Sequence, residues 1–209
     1  MNYVEKLLER IPALTACGEE IEGAVTLITE TAESGKILLA GNGGSEADCD
    51  HIAGELMKGF LLKREPYCDE EILTEALGTR ERALLLQRGI PAVSLPSMSA
   101  PLTAFLNDVE PELVYAQLVY ALGRRGDLFI GISTSGNSKS VLAAAQVARA
   151  IGMRVLALTG RSGGRLAACA DIAIRVPEDE TYLIQELHLP VYHALCAEAE
   201  SRLFGGGEA

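Results

Sequence analysis

The chain has 209 residues, 48% of them apolar, with 18 basic against 29 acidic side chains and a net charge of -11. That length buries a full core, so one domain over residues 1–209 is expected. The negative balance repels a polyanion and argues against direct nucleic-acid binding, and no apolar run approaches the roughly 18 residues of a bilayer span, so no membrane partner is expected.

Two amphipathic helical stretches come first, about Tyr3 to Ala16 and Glu19 to Glu33, forming an N-terminal helical region over residues 1–34. The opening segment alternates charged and apolar residues and lacks the basic start and apolar core of a secretory signal, so a cytoplasmic location is expected. The five cysteines, Cys17, Cys49, Cys68, Cys169 and Cys196, form no CxxC pair and mostly lie in apolar stretches. They read as reduced packing residues.

Lys36 to Gly41 (KILLAG) is then a short apolar run, and Asn42 to Ser45 (NGGS) leads directly into a helical pattern reaching Phe60. The unit of strand, turn and helix recurs. Further strands are predicted at Pro91 to Leu95, Asp127 to Ile132, Arg154 to Thr159 and Asp171 to Val176. Helices are predicted at Pro111 to Arg124, Ser138 to Ile151 and Ser162 to Cys169, with a long one from Thr181 to Phe204. This alternation predicts an α/β fold: a five-stranded parallel sheet with helices on both faces, its strands apolar throughout because both sides are buried. Residues 61–88, rich in Asp and Glu, are too long for a loop and are expected to be an insertion carrying its own acidic helix on the surface. The Gly205 to Gly207 tail is expected to be unstructured.

Ligands of such sheets bind beyond the carboxyl ends of the strands. Two turns there suit an anion. After the strand ending at Ile132 come Ser133, Thr134, Ser135, Gly136, Asn137 and Ser138, just ahead of a helix. First-turn amides lack helical acceptors and carry partial positive charge, and hydroxyls add donors without a cation. Asn42, Gly43, Gly44 and Ser45 repeat the arrangement after the first strand, with glycines that admit a ligand close to the backbone. Neither turn has a P-loop lysine or a GxGxxG pattern, so a monophosphate ester is expected and a nucleotide cofactor is not.

The chain has three histidines, His51, His188 and His193. His51 and Glu55 are four apart on one helix face; Gln185, His188 and His193 share a stripe of the last helix. Imidazole with carboxylate and amide oxygens suits zinc, while a lone helical histidine is more often structural than a ligand and a His–Glu pair at this spacing is common on solvated faces.

GNGGSxADxxH, ISTSGNS and IQExHxxxxH resemble, over nearly the whole chain, the SIS (sugar isomerase) domain, and within it the phosphoheptose isomerases. The resemblance implies a flavodoxin-like three-layer sandwich and a homotetramer, or a dimer, with active sites at subunit interfaces. It implies a zinc site at His51, Glu55, Gln185 and His193, with Glu55 as base and His193 as acid in an aldose–ketose conversion through an enediol. His188 matches a family histidine read as structural. Asn107 and Asp108, in LTAFLND, match sugar-facing positions, alongside Gln185 and the two turns. Gly59 stands where the family often has arginine, with Lys58, Lys63 and Arg64 as the nearby charges. Three functions stay open: isomerisation of sedoheptulose 7-phosphate, phosphosugar binding without chemistry in a regulatory protein, and a SIS enzyme such as a lyase on another sugar phosphate.

Overall fold

The computed structural model describes residues 2–66 and 69–206. Five parallel strands form its sheet: β1 (Ile37–Ala40), β2 (Ala92–Ser94), β3 (Leu128–Ile132), β4 (Arg154–Thr159) and β5 (Ile172–Arg175), in the order β2-β1-β3-β4-β5. This is the flavodoxin-like order, and its direction reverses between β1 and β3. The register there pairs Leu39 with Ile130 and Ala40 with Gly131, so the two strands end side by side.

Alternate residues of each strand face opposite layers. Ile37, Leu39, Leu128, Ile130, Leu156 and Leu158 pack with α1 (Tyr3–Arg10), α2 (Gly18–Ala32), α3 (Gly44–Met57) and α10 (Thr181–Phe204). Leu38, Ala40, Phe129, Val155 and Ala157 pack with α7 (Val114–Leu122), α8 (Lys139–Ala150) and α9 (Gly164–Cys169) on the other side. The three layers account for strands that carry no polar alternation.

Prolines refine the predicted helices. Ile11, preceding Pro12, leaves the helical region (φ -129°, ψ 79°), so α1 stops at Arg10 and Pro12–Cys17 becomes a 3-10 turn. Pro111 likewise opens a 3-10 turn, Pro111–Leu113, ahead of α7. An additional helix, α6 (Ser99–Asp108), covers the LTAFLND segment, although none of its residues is buried. The 61–88 region holds two short helices where one was expected, the exposed α4 (Glu70–Leu77) and α5 (Arg80–Ala83), which buries Ala83.

Cys17, Cys49 and Cys196 are buried free thiols, Cys169 is partly buried, and Cys68 lies outside the described residues. The Gly205 amide bonds Ser201 O at 2.9 Å, closing α10, and Gly207 is outside the described residues. No described helix is long and apolar enough to cross a membrane.

Candidate active site

The two sequence-predicted turns meet where the strand order reverses. Gly43 takes φ +59° to turn the chain from β1 into α3, and Tyr115 of α7 donates its hydroxyl to Gly41 O at 2.9 Å. The Asn42 amide then crosses to the second turn, donating to Ser138 Oγ at 2.9 Å and Ser140 Oγ at 3.1 Å. Ser138 is the N-cap residue of α8, yet its side chain does not cap that helix. The first amides of α8 therefore lack a side-chain acceptor from their own cap, as an anion site requires.

The second turn is braced from its far side. Gly136 (φ +62°) lies against the backbone of Gly163, so closely that a Cβ would overlap the Gly163 carbonyl. Gly160 N bonds Thr134 O at 2.9 Å, and Leu166 N bonds Gly136 O at 2.9 Å. Within the turn, Ser135 Oγ accepts from Asn137 N (3.2 Å) and Ser133 Oγ from Ser138 N (3.4 Å). Ser45 and Ser133 are buried, whereas Thr134, Ser135 and Ser138 keep access to solvent.

Farther along α3, a second cluster joins that helix to α10. His51 Nε2 is 3.4 Å from Glu55 Oε1 and 3.5 Å from His193 Nε2, and His51 Nδ1 is 3.1 Å from the Tyr192 hydroxyl. Burial lowers the His193 pKa, the His51 charge lowers it further, and Glu55 opposes both. Burial raises Tyr192, as does the nearby Asp48 carboxylate. Asp48 is itself raised by burial, and its Oδ2 is buried with no hydrogen-bond partner among the described residues.

Of the four residues that resemble a metal set, the structure brings together His51, Glu55 and His193. Gln185 lies elsewhere: its amide rests on Gly44, where a Cβ would collide with it. Eight residues of α10 separate it from His193, about 12 Å of helix rise. Among the described residues no three His, Cys, Asp or Glu side chains close into a ligand set. The two contacts that do form, 3.4 and 3.5 Å, nevertheless match the edge of a tetrahedron with zinc bond lengths, about 3.4 Å. Donor chemistry and spacing thus suit the ion, and closure of the set is what the chain alone does not supply.

Asn107 and Asp108 sit exposed at the end of α6, bonded to each other at 2.7 Å. His188 is fully buried, Nε2 3.3 Å from Thr159 O, in the structural role expected of it. Gly59 has no room for a side chain: its Cβ would stand 2.6 Å from Gln87 Oε1 and overlap Leu62 O. Arg64 does not supply a charge to the cleft, because it is buried. Sequence reasoning missed Tyr192, Tyr115 and Ser140; only Tyr192 carried a signal, its adjacency to His193.

The SIS domain family model matches residues 70–160, which include the second turn and exclude the first. A phosphoheptose isomerase of Desulfovibrio desulfuricans is 41% identical over 183 residues, covering 88% of this chain and 76% of that one. Among solved structures, phosphoheptose isomerase from Neisseria gonorrhoeae is similar at TM-score 0.74 with 34% identity, covering 95% and 93% of the two chains. One from Francisella tularensis gives 0.76 and 30%, covering 95% of each.

Proposed function

The chain belongs to the phosphoheptose isomerase family, and from that premise we propose that it interconverts sedoheptulose 7-phosphate and D-glycero-D-manno-heptose 7-phosphate. The observation that carries the reading is the separation of two clusters on one helix. The first turn begins α3 at Gly44 and is tied through Asn42 to the second, and the His51 cluster stands seven residues on along α3, about 10 Å of rise from the first turn. A seven-carbon chain with its ester oxygen extends roughly as far, about 10 Å at ordinary bond lengths.

The phosphate occupies Ser133 to Ser138 and the amides starting α8, with Asn42 holding the two turns together. Glu55 removes a proton from C1 of the ketose while His193 donates one to the C2 oxygen, giving the enediol. The proton then returns to C2 as the C1 hydroxyl loses its own, and the aldose results. Burial and the His51 charge lower the His193 pKa, so its protonated form gives up a proton more readily than an ordinary imidazolium. A divalent ion, zinc by donor chemistry, would be held by His51, Glu55 and His193 and would polarise the sugar oxygens as a Lewis acid, whereas Gln185, a ligand by family likeness, stands too far along α10 to complete the set within one chain.

The assembly belongs to the same proposal: a homotetramer, or a dimer, with active sites shared between subunits, in the cytoplasm. In support, the His51 side chain is 41% exposed, and a groove of about 290 Å³ between α1 and α10 opens beside His193. Purified protein incubated with sedoheptulose 7-phosphate, with and without zinc, is expected to yield the aldose, and Glu55→Gln or His193→Gln to abolish it. A phosphosugar-dependent thermal shift without product would make the chain a binding protein instead.

A further inference from the structure

Arg64 and Glu200 form an ion pair with no solvent exposure on either side chain, Nε to Oε1 at 2.8 Å. Each half holds more than the other. The guanidinium also donates to Leu56 O (2.7 Å) and Glu55 O (3.2 Å), two of the last carbonyls of α3. A cation there satisfies orphan acceptors and complements the helix dipole. It reaches Arg88 O at 3.4 Å and lies 4.8 Å from the Phe204 ring centre. Glu200, on α10, accepts from the amides of Phe60 (2.7 Å), Leu61 (2.6 Å) and Leu62 (3.0 Å). Burial raises its pKa, but those amides and the guanidinium outweigh it and hold the carboxyl below its usual range.

The pair therefore closes a ladder. Gln185 lies on Gly44, His193 and Tyr192 meet His51, and Glu200 meets the end of α3 through Arg64. Those rungs climb both helices in the same direction, so α3 and α10 run alongside each other in parallel, and the reacting side chains occupy the middle rung. Phe60, whose amide Glu200 holds, places its ring 5.8 Å from that of His193.

We propose that Arg64 is a positioning residue for the isomerase site, setting through Glu200 the spacing of α3 and α10 and hence the contact of His51 with His193. It rests on the isomerase reading above. A lysine cannot reproduce it, because one ammonium cannot span Glu200 and two helix-end carbonyls as a planar fork does.

The test uses the full chain with Arg64→Lys and, should that variant not fold, Glu200→Gln. Turnover of sedoheptulose 7-phosphate is measured beside the imidazole NMR signals, which number three in this chain. The expected result is kcat lower by about 10- to 100-fold with KM within about threefold, the loss typical of a misplacement near 1 Å. The His51 and His193 signals shift while that of buried His188 stays in place. A lower melting temperature with kcat and all three signals unchanged overturns the proposal and leaves the pair a stabilising one. If the unsubstituted chain does not turn over the ketose, the functional reading fails and the imidazole signals alone decide: displaced His51 and His193 support the positioning role, unmoved ones overturn it.

Discussion

His51 and His193 bring their Nε2 atoms to 3.5 Å across 142 residues of chain. Two imidazoles so placed resist protonation together, which is why the His51 charge depresses His193. They compete for one proton or share one cation. The prediction is that purified protein carries close to one zinc per chain by elemental mass spectrometry, that chelation removes turnover, and that His51→Ala loses the metal. Metal-free protein with full activity would refute it.

Asn42 is expected to matter more than a surface amide should, because it joins the first turn to Ser138 and Ser140 of the second. Asn42→Ala should raise KM about tenfold with a smaller change in kcat, as expected for a lost hydrogen bond near a charged group, about 1.5–3 kcal/mol. Steady-state kinetics with Ser135→Ala alongside checks this. An unchanged KM in both would remove the phosphate from this turn.

Gly136→Ala faces two obstacles at once, a positive φ and the Gly163 backbone. Strain of that kind costs about 1–3 kcal/mol before the clash is counted. The variant should unfold at lower urea and bind phosphosugar weakly, whereas Gly78→Ala, also at positive φ but with open space around it, should show the smaller loss and normal binding.

Acid should weaken the fold through His188. Burial drives its pKa from 6.5 down to about 4, against the smaller lift from Thr159 O, and Nδ1 is left without a partner among the described residues. Between those values the unfolded chain takes up a proton that the native chain refuses, so stability falls as pH drops from about 6.5 toward 4, by up to ~3 kcal/mol. Urea midpoints at pH 7, 5.5 and 4.5 should decline, and less steeply in His188→Gln. Equal slopes would assign the acid sensitivity elsewhere.

Gly59→Arg should destabilise this chain because the side chain must displace Gln87 from the Gly59 amide, a bond of 2.7 Å. Thermal melting tests it. A variant as stable as the parent would mean that the base of the 61–88 region opens readily.

The sheet was legible because β1, β3 and β4 are apolar runs with glycine at or near an end, and a strand buried on both faces has no other way to be written. Helix ends were less so: Pro12 and Pro111 interrupt patterns whose periodicity continues past them. His51 and Glu55 could be paired from a spacing of four within one helix. Tyr192 against His51, Tyr115 against Gly41 and Arg64 against Glu200 could not, since the partners stand 141, 74 and 136 positions apart and spacing says nothing of contacts made only by folding. The same limit applies to Gln185, which shares a helical stripe with His193 yet rests on Gly44.

All five strands precede α10 in the chain, and α10 brings His193 and the carboxylate that braces α3. On the proposed roles, a nascent chain that already holds the whole sheet, both turns and Glu55 still lacks the acid partner, so turnover would begin only once the last helix has docked.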